Sequence, residues 1–133
     1  MFKVVGNETV FPLRVMVCGS DPLAARELGS LVRDAGYDVC AVTGCAGEAL
    51  EAAAEHWPDL VIADTRDGRG DALITAVRIR GRCAIPCIVV ASDAEAASRA
   101  HAAHPIAILT STIGATAIAG VMAEAVDHLI VAA

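Results

Sequence analysis

The sequence predicts an α/β domain, a doubly wound parallel sheet of (βα)5 type. Three observations carry that expectation. Five short runs of apolar, mostly β-branched residues recur along the chain, each bounded by polar residues, glycine or proline. Segments with apolar residues every three or four positions separate those runs. Apolar residues make up 56% of the 133 positions and aromatics only 3%, so small aliphatic side chains must fill the core and helices must pack closely on the sheet.

The first strand is expected at 13–18 (LRVMVC). Its uninterrupted apolarity suits a strand covered on both faces. A helix is expected over 22–35, where Ala24, Leu28, Leu31, Val32 and Ala35 form one stripe. Asp21 supplies an N-cap carboxylate, Pro22 a preset first turn, and Gly36 a stop. The second strand is 38–43 (DVCAVT), followed by a helix at 46–56 with Ala46, Ala49, Leu50 and Ala53 on one face. The third strand, 59–63 (DLVIA), leads to a helix at 71–80 carrying Leu73, Ile74 and Val77. The fourth, 85–91 (IPCIVVA), leads to an alanine-rich helix at 94–103. The fifth, 106–109 (IAIL), leads to the clearest amphipathic pattern, 115–130, with Ala117, Ile118, Val121, Met122, Ala125 and Leu129. Residues 1–11 read as an N-terminal extension without assigned structure, and 12–133 as a single domain.

Regular strand–helix alternation implies right-handed crossovers and helices on both sheet faces. At this length the flavodoxin-like strand order 2-1-3-4-5 is expected. The net charge of −6 and the absence of a clustered basic patch argue against a nucleic-acid surface. The N-terminus (MFKVVGNETVFPLRV) has no signal-peptide pattern, and no run approaches the ~18 apolar residues of a membrane span, so a cytoplasmic protein is expected. Five cysteines, at 18, 40, 45, 83 and 87, are an odd number without a CxxC, and buried free thiols are expected rather than a metal or disulfide framework. Gly44 and Gly47 do not complete a dinucleotide fingerprint. His101 and His104, three apart, read as exposed polar positions, while His56 and Trp57 are expected to pack at a helix end.

In such sheets ligands bind beyond the carboxyl ends of the strands, where the strand order switches. The first strand delivers Gly19, Ser20 and Asp21 there, the third Asp64, the fourth Ala91 and Ser92, and the fifth Thr110 and Ser111. Within HWPDLVIADTRDGRGDA, Asp64 is therefore expected at the ligand-binding edge of the central strand.

Four stretches carry a family resemblance: RVMVCGSDPLAARELGSLVRDAGYDV, GEALEAAAEHWPDLVIAD, IPCIVVAS and SRAHAAHPIAIL. In this order they resemble the receiver domain of bacterial two-component response regulators, over about residues 13 to 130. The resemblance implies signalling rather than enzymatic activity, with Asp64 as the acceptor of a phosphoryl group from a histidine kinase or phosphotransfer protein. It also implies a Mg²⁺ held by acidic residues after the first strand, by Asp64 and by a backbone carbonyl, here that of Arg66, whose side chain is not required. Here the chain departs from the family. The acidic pair falls on Gly19 and Ser20, and Asp21, one residue late, reads better as a helix cap than as a metal ligand. The switch hydroxyl falls on Ala91, with Ser92 on the opposite face; the phosphate-binding lysine falls on Ser111, with Thr112 at the usual proline. An apolar residue and a proline give way to Asp67 and Gly68; Asp67 reads as a solvated loop acid and Asp71 as a helix cap. A weakly held Mg²⁺ is the expected cofactor. The expected partners are a kinase, a downstream protein and a second copy meeting through the fourth helix, fifth strand and fifth helix, with neither nucleic acid nor membrane. The alternatives are a degenerate receiver that works by protein contact without phosphorylation, and a small enzyme or nucleotide-binding domain on the same fold.

Overall fold

The computed structural model describes residues 2–5, 9–110 and 113–132. A five-stranded parallel sheet is formed by β3 (Arg14–Gly19), β4 (Asp38–Thr43), β5 (Leu60–Asp64), β6 (Cys87–Val90) and β7 (Ala107–Leu109), in the order β4-β3-β5-β6-β7. Counting only these strands, the order is the expected 2-1-3-4-5. The helices are α1 (Pro22–Asp34), α2 (Gly47–His56), α3 (Asp71–Cys83), α4 (Ala94–Ala100) and α5 (Ala115–Ala132), with a 3₁₀ turn at His101–Ala103.

Alternation along each strand sorts the core into two layers. Val15, Val17, Leu60, Ile62, Ile88 and Val90 point to one face and pack with Leu28 and Val32 of α1 and Ile118 and Met122 of α5. Met16, Cys18, Val61, Ala63 and Val89 point to the other and meet Ala49, Ala53, Ala72, Ala76 and Ile79 of α2 and α3. Every residue of β5 is buried, which explains why its sequence is continuously apolar up to Asp64. The second layer is built largely from alanine, as the composition anticipated.

Local signals account for most element ends. Asp21 caps α1 by accepting from the Leu23 and Ala24 amides at 3.1 and 3.3 Å, and Gly36 leaves the helix at φ +100°. Asp93 caps α4 through the Ala96 amide at 2.8 Å. Four expectations need correction or completion. The N-terminal extension, to which the sequence assigns no structure, contains β1 (Phe2–Val5) and β2 (Thr9–Pro12), which pair antiparallel and are too short for periodicity to reveal. Asp71 is not a side-chain cap; Gly70 holds that position in the left-handed region and Asp71 is the first residue of α3. The fourth helix is shorter than 94–103, ending at Ala100 before the 3₁₀ turn. Trp57 does not pack at the end of α2; it caps that helix in the left-handed region with 62% of its surface exposed. Cys18 and Cys87 are buried free thiols as expected, but Cys40, Cys45 and Cys83 are only half-buried. Among the described residues no helix is long and apolar enough to cross a membrane.

Candidate functional site

β3 and β5 pair with Gly19 opposite Asp64, and β5 and β6 pair with Asp64 opposite Val90. The expected carboxylate is thus delivered to the carboxyl rim of the central strand. It is only 5% exposed, because the rim folds around it. A Cβ on Gly19 would come within 3.1 Å of the Asp64 Cβ, so glycine is what lets the two strand ends lie this close. Thr65 is fixed by its amide and its hydroxyl, both donating to the Val90 carbonyl at 2.8 Å. The chain then turns through Gly68 and Gly70, both at positive φ, into α3.

That turn sends the Arg66 side chain back over Asp64. Nε donates to Oδ1 at 2.8 Å and Nη2 to Oδ2 at 2.7 Å, a two-pronged guanidinium–carboxylate pair. The Arg66 amide donates to Oδ1 at 3.1 Å as well. Both carboxylate oxygens therefore accept from residue 66, and charge-assisted bonds of this geometry are among the strongest that side chains form. The hydrogen-bonded Asp64 carboxylate holds the Arg66 guanidinium above its ordinary pKa, outweighing the opposing effect of burial. The sequence expectation assigned Arg66 a backbone-carbonyl contact that does not require its side chain; the structure adds the side chain, a cation paired with the candidate acceptor. The signal was present in the sequence as an arginine two residues after the aspartate, where an amide and a guanidinium can both reach back.

Asp21, Ala24, Asp64, Arg66 and Asp67 line a shallow cavity of about 210 Å³. Asp21 is brought to the site, but its Oδ1 is engaged in capping α1. Asp67 accepts from the Arg69 amide at 3.1 Å within the loop, as a solvated loop acid would. Ser20 turns away from Asp64, its hydroxyl 3.5 Å from the Cys45 thiol. Ala91 is buried and offers only its amide, bound to the Leu109 carbonyl at 2.9 Å, while Ser92 is exposed. Thr110 is exposed, and Ser111 and Thr112 lie outside the described residues. Beneath the site, burial first and then Cys45, Cys87 and Asp64 push the Cys18 thiol up to about 12.

These donors do not suit Mg²⁺. A hard divalent ion needs several converging oxygen ligands. Gly19 and Ser20 offer no carboxylate, Asp21 is a cap, and both Asp64 oxygens already face a guanidinium. Among the described residues no group of three or more acidic, histidine or cysteine side chains is arranged to hold a metal.

No protein-family model matches the chain. It is 31% identical over 104 residues to the transcriptional regulatory protein PdtaR of Mycobacterium tuberculosis, in each of two strains. That alignment covers 77% of this chain and 51% of the relative, so the chain spans about half the length of the curated relatives it matches. The signal receiver domain of a modulated diguanylate cyclase from Desulfovibrio desulfuricans G20 superposes with a TM-score of 0.73 at 27% identity, over 90% of this chain and 98% of that one. A CheY-like response regulator receiver domain from Methanospirillum hungatei JF-1 gives the same TM-score at 16% identity, over 90% and 97% of the two chains, a likeness of fold alone.

Proposed function

From Arg14 to the end of α5 the chain is a receiver domain of the response-regulator type, and on that premise we propose that it signals by protein contact without phosphorylation of Asp64. The observation that carries this reading is the Arg66 fork. Attack on phosphorus needs a free carboxylate lone pair directed at the incoming group. Here Oδ1 accepts two hydrogen bonds and Oδ2 one, in a rim that leaves little water to replace them. A phosphoryl donor would also meet Asp21 and Asp67 at the mouth of the cavity. Phosphoryl transfer rests on positioning and charge neutralisation, so each absent helper raises the barrier. Gly19 and Ser20 lack the acidic side chains, and Ala91 lacks the switch hydroxyl, that the resemblance calls for. With Arg66 as a built-in counter-ion, Asp64 acts as a structural anchor for the β5–α3 loop. The name of the curated relatives supports a place in transcriptional control, exercised through a protein partner or a further segment.

The phosphorelay reading, with a histidine kinase or phosphotransfer protein loading Asp64, is supported by the position of Asp64 at the rim opposite Gly19. A homodimer through α4, β7 and α5 has the small exposed residues Ala94, Ala119, Gly120 and Ala123 in its favour; among the described residues this face carries no large exposed apolar side chain.

The test is intact-mass measurement after incubation with Mg²⁺ and acetyl phosphate. The wild type is expected to gain no phosphoryl group. A phosphoryl adduct on the wild type that disappears in Asp64→Asn overturns the reading and establishes the phosphorelay one.

A further inference from the structure

The charge pattern of α2 and α3 points to an interface, and we propose that the outer face of these two helices is where two copies of this chain associate. The proposal does not depend on whether Asp64 accepts phosphate. Among the described residues four large apolar side chains are well exposed, and three lie on this pair of helices. Ile74 and Val77, 54% and 42% exposed, stand on the outer side of α3, opposite its buried stripe of Ala72, Ala76 and Ile79. Trp57 closes α2. Large apolar residues gathered on one face mark a surface that is covered by another macromolecule more often than isolated ones do.

Charge selects the occupant. The Thr75 hydroxyl accepts from the Ala46 amide at 2.9 Å, which sets that side of α3 against the start of α2. Arg78 and Arg82 follow Thr75 by three and seven positions and so share its side, the flank of α3 set toward α2. At the start of α3 a cavity of about 500 Å³, lined by Ala46, Asp71, Ile74, Thr75 and Arg78 with the loop residues Ser20, Gly44 and Cys45, opens beside this face. On α2, Glu51 and Glu55 are one turn apart on the solvent side, away from the buried Ala49 and Ala53. All four charged residues are exposed, and among the described residues none of them makes an ion pair. Arg80, also exposed, adds to the local positive charge of α3: no acidic residue occurs between Asp71 and Asp93.

An acidic helix beside a basic one on the same face is self-complementary. A two-fold axis running between the two helices sets α2 of each copy over α3 of the other, so that Glu51 and Glu55 of each copy meet the arginines of the other, twice. That reciprocity is what an isologous dimer requires. Nucleic acid fits less well, because the same glutamates that flank the arginines repel phosphate.

The test measures the mass of the full chain by light scattering or sedimentation, from micromolar to hundreds of micromolar concentration. The wild type is expected to reach twice the chain mass. The reversals E51R/E55R and R78E/R82E each lose the dimer, and an equimolar mixture of the two variants restores it. Val77→Asn, which alters no charge, also loses it. Circular dichroism establishes that each variant is folded, which is expected because all five positions are exposed. A wild type that stays monomeric overturns the proposal. So does a dimer that survives both reversals and is lost with Ala123→Arg on α5, or a mixture that fails to re-associate.

Discussion

Asp64 and Arg66 form one unit at the residue scale, and the unit can be dissected. Removing the guanidinium strands a carboxylate that is nearly out of water, whereas removing both partners strands nothing. Arg66→Ala is therefore expected to cost about 1–3 kcal/mol, and Arg66→Lys to recover only part, because an ammonium cannot make the two-pronged contact. Asp64→Ala combined with Arg66→Ala should cost less than the sum of the single changes, a coupling read from urea denaturation midpoints. Additive costs would mean that the fork does not hold the loop. The two buried thiols give a second expectation, with a definite sign. Burial raises Cys18 from an ordinary value of 9.0 to about 12, and Cys87 to about 11. Above pH 9 the unfolded chain ionises these thiols while the folded chain keeps their protons, so the folded state binds more protons and loses stability as pH rises. The loss should begin near pH 9 and continue to about pH 12. Denaturation midpoints measured from pH 7 to 10.5 should decline less steeply in Cys18→Ala/Cys87→Ala than in wild type. Equal slopes would show that these thiols are not held neutral.

Element by element, the strands were legible because burial on both faces leaves a sequence mark: continuous apolarity in LRVMVC and LVIAD cannot belong to a surface segment. Helix starts at Asp21 and Asp93 were legible or consistent with side-chain caps. Helix ends were harder to read, because the chain closes several of them without glycine. Trp57, Ala84 and His104 close α2, α3 and the 3₁₀ turn at positive φ, and Ala46 opens α2 there, where nothing in the residue type announces it. The Arg66 fork left only a partial mark: an arginine two residues after the aspartate puts both groups within reach, but whether the side chain folds back depends on the backbone path of the loop, which spacing does not give. The positive-φ alanines also carry a cost. Ala84, at φ +56° and ψ +32°, ends α3 with its Cβ exposed and in the left-handed region. That conformation costs an L-residue about 1–2 kcal/mol, against which glycine loses more entropy on folding. Ala84→Gly should therefore raise stability by a net of about 0.5–1 kcal/mol, seen as a higher urea midpoint at unchanged slope. A lower midpoint would place residue 84 outside the left-handed region in solution.

For the molecule as a whole, the two core layers differ in how closely they bring helices to the sheet. The layer under α1 and α5 is filled by branched and long side chains such as Leu28, Ile62, Ile88, Ile118 and Met122. The layer under α2 and α3 sets Ala49, Ala53, Ala63, Ala72 and Ala76 beside Met16, Val61 and Ile79, and its alanine side chains let the helices sit close to the sheet. Interiors packed at crystal-like density answer unequally to added and removed methylenes. Ile88→Val deletes one methyl in the roomier layer and should cost about 0.5–1.5 kcal/mol. Ala76→Leu forces three carbons between α3 and β5; the helix must lift, and the cost should be about 1–3 kcal/mol or more. The lifted helix is also the one that carries Arg78 and Arg82 and receives the loop anchored by Asp64. Ala76→Leu should therefore disturb the Asp64–Arg66 pair at a distance, visible as a changed chemical shift of the Asp64 carboxyl carbon, while Ile88→Val leaves that shift alone. If Ala76→Leu proves no costlier than Ile88→Val, the alanine layer holds unfilled space, and α3 is not seated as tightly as its buried alanines imply.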